Sequence, residues 1–293
     1  MTRKKWFLLA LVLLLVLAAG AVGGQVWLNR RARESVDEQL TRLAPLARVE
    51  YGTLWYGAFS RALTFRDLSI TPPGFTRPFG VRRLEIREQD GRRTVVVSGI
   101  AAGLDQPALD RVRPALAALG YGDLTASARL DWRYSAPEGR LDLESFRLRV
   151  EDMGVLDLSL DLSDLRWPGG QFNLAGLLQL RSIVGRGILN RASLGYEDLS
   201  LIRRMDESAA QSQNTTVEAL RDKRAWSVRV HAVPGMSRQA EDALEAFARF
   251  ARNPQKILIL MKPENPAPLL ETNRIRDFGQ WVKIMGVTVE SGE

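Results

Sequence analysis

The stretch LDLSLDLSDL, residues 156–165, sets Leu156, Leu158, Leu160 and Leu162 on one phase and Asp157, Ser159, Asp161 and Ser163 on the other. Successive side chains leave opposite sides of a pleated strand, so this period of two predicts a strand with one dry and one wet face. Upstream, Leu124, Ala126, Ala128, Leu130, Trp132 and Tyr134 alternate with polar residues in LTASARLDWRY. RLDLESFRLRVE then carries Leu141 and Leu143 before switching phase to Phe146, Leu148 and Val150. With APEG and DMG as turns, residues 121–167 read as a three-stranded antiparallel meander that buries Leu130, Trp132, Leu148, Leu158 and Leu160.

The period of two begins earlier, from Ala47. ARVEYGTLWYG and FSRALTFRDLSI read as strands, and the second moves from Leu63 and Phe65 to Leu68 and Ile70, a phase flip that predicts a bulge near Arg66 and Asp67. TPPGFTRP breaks the ladder as a loop. FGVRRLEIREQ and RTVVVSGI form a hairpin about Asp90-Gly91, since both residues tolerate positive φ.

Helical periodicity appears at 105–119, with Asp105 as cap, Pro107 in the first turn and Pro114 as a kink. RASLGYEDLSL is a further strand, followed by a helix through about residue 212. LAGLLQLRSIVG is apolar and fits helix or strand alike. Thr215 or Thr216 caps a helix in NTTVEALRDKRAW. Ser237 caps an amphipathic helix whose stripe is Ala243, Leu244, Phe247, Phe250 and Ala251. KILILM is a short strand ended by prolines, and the tail offers a helix near 274–284 and a strand at GVTVES.

The amino-terminal pattern differs again. Arg3, Lys4 and Lys5 precede an apolar run from Trp6 to Leu28 that only Gln25 interrupts. At about 1.5 Å per residue such a run spans a bilayer core of about 30 Å, and Trp6 and Trp27 stand at its ends, where rings favour the interface. The reading is a retained signal anchor with the bulk of the chain outside the cytoplasm; a cleaved signal peptide ending in AAGAVGG is the rival. Residues 30–45, with Val36, Leu40 and Leu43 at helical spacing, read as a short membrane-proximal helix ended by Pro45.

Composition narrows the chemistry. Among 293 residues there is no cysteine, which excludes disulfides, thiolate zinc sites and cysteine nucleophiles. Lys plus Arg is 41 against 34 Asp plus Glu, but the bases alternate with acids in FRLRVED and VRRLEIREQDGRR, as on an ordinary arginine-rich surface. No basic block with interleaved aromatics marks a nucleic-acid surface. The single histidine, His231, has no cysteine beside it as a co-ligand, and no Walker loop, dinucleotide fingerprint, zinc helix or nucleophile elbow is present. The aspartates of DLSLDLSD could build an acidic ladder for a hard cation, although the glycine turns of repeat-type calcium sites are missing. Trp132, Trp167 and Trp226 could line a ligand site, although core packing is the better account of each, since Trp132 shares its phase with Leu130 and Tyr134. No catalytic residue, cofactor or metal ligand is expected.

The order of anchor, short helix and long two-periodic strands beginning RVEYGTLWYGAFSRALTFRDLSI resembles the AsmA-like and YdgA-like membrane-anchored envelope proteins of Gram-negative bacteria. The later segment LGYEDLSLIRRM is similar to the YdgA-like pattern. The resemblance implies a periplasmic, inner-membrane-tethered, β-rich protein and, for the AsmA-like group, a groove or curved sheet connected with phospholipid traffic and outer-membrane upkeep.

The expected fold is α+β: a single transmembrane helix, then a curved antiparallel β-meander packed with helices, with helical content rising in the C-terminal third. Its parts are a transmembrane signal anchor at 1–30, a membrane-proximal helix at 31–45, a β-rich region at 46–170, and an α+β region at 171–293 packing on the same sheet. The expected function is that of a non-enzymatic, single-pass inner-membrane protein of envelope maintenance. It would bind or pass lipid through an apolar β-groove of Leu130, Trp132, Leu148, Leu156, Leu158, Leu160 and Leu162. The alternative is a scaffold subunit of an envelope assembly, with a protein partner and those leucines as closed core.

Overall fold

The computed structural model describes residues 25–292, apart from 26, 39, 42–46, 72–76, 104–109, 166–184 and 273. Its centre is an eleven-stranded antiparallel sheet in which nearly every strand lies beside its successor in the chain. The strands are β1 (Arg48–Gly57), β2 (Ala62–Thr71), β3 (Phe79–Gln89), β4 (Arg92–Ala102), β5 (Leu124–Ser135), β6 (Arg140–Val150), β7 (Gly154–Ser163), β8 (Ile188–Asp198), β9 (Lys256–Met261), β10 (Ala267–Pro268) and β11 (Val287–Gly292). The path runs β1 to β9 in order and ends on β11, while β10 pairs with the start of β8. Short turns suffice for such a meander because antiparallel neighbours need no crossover. Asp90 and Gly91 both have positive φ in the β3–β4 turn, as the two-residue hairpin requires.

The helices are α1 (residues 27–38), α2 (Arg113–Ala118), α3 (Leu201–Ser212), α4 (Val217–Arg229), α5 (Arg238–Arg252), α6 (Leu269–Thr272) and α7 (Phe278–Met285). Their starts follow local chemistry. Thr216 accepts from the Ala219 amide at the head of α4, Ser237 from Ala240 at α5, and Asp277 from Gln280 at α7. Pro114 stands in the first turn of α2 rather than kinking a longer helix, since a missing N–H costs nothing there. The expected cap Asp105 lies outside the described residues, as does most of LAGLLQLRSIVG.

Two buried clusters occupy the two ends of the sheet. At one end α5 and α7 lie on β7, β8, β9 and β11, burying Leu162, Leu189, Ala240, Ala243, Val282 and Val287 among others. At the other, Leu54, Phe65, Leu68 and Val81 are buried with Ala32 and Val36 of α1 packed against them.

The transmembrane expectation is overturned. No helix among the described residues is long and apolar enough to cross a membrane. The single-pass signal anchor over 1–30, and with it the inner-membrane, periplasmic placement, is therefore not supported. Residues 1–24, including Trp6, lie outside the described residues. The described end of that stretch is tied to the sheet by polar groups. Asn29 accepts from the Tyr56 amide at 2.7 Å, and Gln25 donates to the Tyr56 carbonyl. Further along α1, Asp37 accepts from the Tyr51 hydroxyl at 2.6 Å. Trp27 is 57% exposed, with the Arg31 guanidinium 5.4 Å from its ring centre.

The phase flip expected near Asp67 is present and extends over four strands. Gly52, Asp67, Arg82 and Gly99 form a line across β1–β4 that falls between paired positions, so each strand steps three residues instead of two between consecutive apolar contacts. Asp67 and Gly99 have positive φ. The glycines alternate with the larger residues for a steric reason: a Cβ on Gly52 would lie 3.3 Å from Cβ of Asp67, and one on Gly99 only 2.7 Å from Cβ of Arg82. β5 lacks the extra residue, so the register shifts between Val97 and Ile100.

Candidate functional site

Directly paired residues share a face, so the registers define continuous rows across the sheet. One row reads Tyr56, Leu63, Ile86, Val95, Leu130, Phe146, Leu158, Leu194, Ile259 and Val289; the next reads Leu54, Phe65, Leu84, Val97, Ala128, Leu148, Leu156, Tyr196 and Ile257. This face is apolar from edge to edge.

All seven groove residues expected from the sequence fall in this face on three adjacent strands. Leu130 pairs with Phe146 and Phe146 with Leu158; Leu148 pairs with Leu156; Trp132 and Leu160 both pair with Leu143; Leu162 pairs with Leu141 and Leu189. Their surroundings divide them. Leu162 is fully buried under the helices and Leu160 packs at that cluster's border. Leu130, Trp132, Leu148, Leu156 and Leu158 are half-buried, less than the alternation predicts: among the described residues the helix-covered cluster takes in Tyr134, Leu141 and Leu160 but not these five. The phase switch in β6 is a bulge at Glu144 and Ser145, which keeps Leu143 and Phe146 on one face. Trp226, expected in the core, is 64% exposed on α4, and Trp167 lies outside the described residues.

The acidic ladder is not a cation site. Arg140 holds Asp161 through two bonds of 3.0 and 2.8 Å, and Arg147 lies 3.8 Å from Asp157. Ser159 instead bonds Ser193 at 2.6 Å. His231 is exposed, its Nδ1 2.8 Å from the Ser227 carbonyl. Among the described residues, no cluster of three or more metal-ligating side chains is present.

The opposite, polar face carries a concavity that sequence reasoning missed. A groove of about 440 Å³ lies over β3, β4 and β5, lined by Arg83, Glu85, Arg87, Arg92, Arg129 and Asp131 around a floor that includes Thr94, Val96 and Ser98. Its carboxylates are its most buried members: Glu85 is 6% and Asp131 2% exposed. Glu85 accepts from Arg83 Nη2 at 2.5 Å and from Arg87 on its other side, all three projecting from one face of β3. Asp131 accepts from Arg129 Nε at 2.7 Å and from the Thr94 hydroxyl at 2.6 Å. Arg92 pairs with Glu144 in the β6 bulge. Burial opposes the charge on Asp131, but the bonds from Arg129 and Thr94 and the nearby charges of Arg129 and Arg92 outweigh it and hold the carboxyl below its ordinary range.

The signal for this groove was present in VRRLEIREQDGRR and SARLDWR. On the polar phase these run Arg83, Glu85, Arg87 and Arg129, Asp131, Arg133. Read one strand at a time they describe a solvated face; pairing of Glu85 with Val96 and of Thr94 with Asp131 makes them neighbours.

A family model described only as "Uncharacterized protein" matches residues 147–292. No curated protein matches the chain. The matched stretch runs from β6 to β11, so it takes in the helix-covered end of the sheet and Leu148 to Leu162, and it leaves the arginine groove outside.

Proposed function

We propose that this is a non-enzymatic lipid-binding protein of envelope maintenance, the role that the AsmA-like resemblance implies, with acyl chains seated on the centre of the apolar sheet face. The observation that carries the reading is the uneven cover of one unbroken face. Among the described residues helices cover its two ends, whereas Val95, Val97, Leu130, Phe146, Leu148, Leu156 and Leu158 in the middle strands are only half-buried. Apolar area left partly in water gains about 25 cal/mol per Å² when an apolar ligand covers it, and extended apolar surface on a sheet otherwise invites association.

The test is lipid extraction and native mass spectrometry of the purified full chain. Copurifying phospholipid or fatty acid is expected, and it should be lost when Leu158 is replaced by Arg with the circular dichroism spectrum preserved. A lipid-free, monodisperse and stable protein would overturn the reading in favour of a scaffold. That second reading has its own support in Trp226, Val230 and Val233, which stand exposed on and just beyond α4 as a partner surface would.

A further inference from the structure

The groove on the polar face lies on the other side of the sheet from the acyl surface, so one ligand cannot fill both. We propose that this groove is a binding site for a phosphate-bearing ligand, with the guanidinium groups of Arg83, Arg87, Arg92 and Arg129 taking the phosphate oxygens.

Charge is the first support. The lining holds four arginines and two carboxylates, Glu85 and Asp131, a surplus of two positive charges that matches a phosphate dianion. A guanidinium also presents a planar fork of donors suited to paired phosphate oxygens, which an ammonium does not.

The buried carboxylates are the second. An ion pair whose arginine is half in water adds only modestly to stability, and removing a carboxylate from water is costly, so what charged Asp131 adds to stability is offset in large part by its burial. Their effect is orientation. Glu85 holds Arg83 and Arg87 on its two sides, and Asp131, itself fixed by Thr94, holds Arg129. Each of these arginines is still about half-exposed. An arginine has five donors, of which the carboxylate takes only some, and on these groove-lining side chains the rest belong to a guanidinium already held in place, which lowers the entropy lost when an anion arrives.

Space is the third. The volume of about 440 Å³ exceeds what one phosphate group fills, and leaves room for the organic group that carries it. The hydroxyls of Thr94 and Ser98 along β4 supply polar contacts for that group.

Titration calorimetry of the full chain with inorganic phosphate, pyrophosphate and glycerol 3-phosphate tests the site, with cosedimentation on vesicles of phosphatidic acid in phosphatidylcholine as a second arm. Binding that weakens with salt is expected, and a loss of about tenfold or more is expected in Arg83→Gln and Arg129→Gln. Arg83→Lys and Arg129→Lys keep the charge beside Glu85 and Asp131, and so keep the fold, but remove the fork; they should bind measurably more weakly than the parent. Arg140→Gln, on a different part of the sheet, should bind as the parent does. Soluble phosphate esters binding with these losses would assign the site to a free ligand; binding to the vesicles alone with the same losses would assign it to a lipid headgroup. No binding of any probe at roughly 10 mM, or binding that the arginine substitutions leave unchanged, overturns the proposal.

Discussion

Thr94 and Asp131 stand directly opposite each other across β4 and β5, and the threonine hydroxyl meets the buried carboxylate at 2.6 Å. This cross-strand bond and the Arg129 bond beside it keep Asp131 charged where burial would favour the neutral acid. The carboxyl therefore has a lower pKa folded than unfolded. Its contribution to stability is full above the unfolded value of about 4 and is lost as pH falls through the folded value. Thermal unfolding between about pH 6 and pH 2 should show the parent losing more stability on acidification than Asp131→Asn. A parallel loss in both would remove Asp131 as a source. Thr94→Val should cost about 1 kcal/mol at neutral pH.

Leu162 and Leu158 share a strand and a face but not an environment, one being fully buried and the other half-buried. Leu162→Ala should destabilise by about 3 kcal/mol in denaturant unfolding, and Leu158→Ala by about half as much, because less area returns to water. Leu158→Asp should cost clearly more than Ser159→Asp, whose side chain lies on the polar face. Equal effects at residues 158 and 159 would contradict the assignment of faces.

Gly99, Gly286 and Gly91 all have positive φ, but they differ in the space about them. Alanine at Gly91 meets nothing within 4 Å, so only the backbone conformation resists it, at about 1 kcal/mol. At Gly99 the new methyl would lie 2.7 Å from Arg82 Cβ, and at Gly286, the residue that ends α7, 2.0 Å from the Lys262 carbonyl oxygen. Gly99→Ala and Gly286→Ala should each lower the unfolding midpoint well beyond Gly91→Ala. The same small shift at all three would show that the chain relaxes freely at these points.

Asp206 of α3 is fully buried and is held by Arg221, at 2.7 Å, and Arg224 of α4. Asp206→Ala leaves both guanidinium groups without this partner and should cost about 3 kcal/mol, toward the lower end for a broken buried pair because the arginines reach solvent. Hydrogen exchange should then rise in α3 and α4 before it rises in β5–β7. Unchanged exchange in α3 would mean that the pair does not hold the two helices together.

What could be read without the fold was what neighbouring residues decide among themselves. The period of two in β5, β6 and β7, the Thr216 and Ser237 caps and the Asp90-Gly91 turn follow from side-chain direction and allowed φ, which operate within a few residues. The flip at Asp67 was visible for the same reason, although its continuation through Gly52, Arg82 and Gly99 was not, since those residues meet only when β1–β4 align.

The local pattern also misled where identical letters meet different surroundings. The apolar run before Leu28 has the length of a membrane span, yet among the described residues no helix has that character, and Gln25 and Asn29 bond the Tyr56 backbone. Trp226 has the composition of a core residue and stands in solvent, because α4 packs on α5 through other positions, Leu220 and Ala225 being its buried ones.

Which side chains share a strand face, where several helices begin and the absence of thiol chemistry are all legible in the order of residues. Tertiary structure alone decided how much of the leucine face is covered, and it decided that the concavity lies on the other side, where Arg83, Glu85 and Arg87 come beside Thr94 and Asp131. The physical reason is range. Alternation and capping depend on bonds and torsions close along the chain, whereas cover and concavity depend on strand order, register and the reach of α1, α5 and α7, which are set by contacts between residues far apart in it.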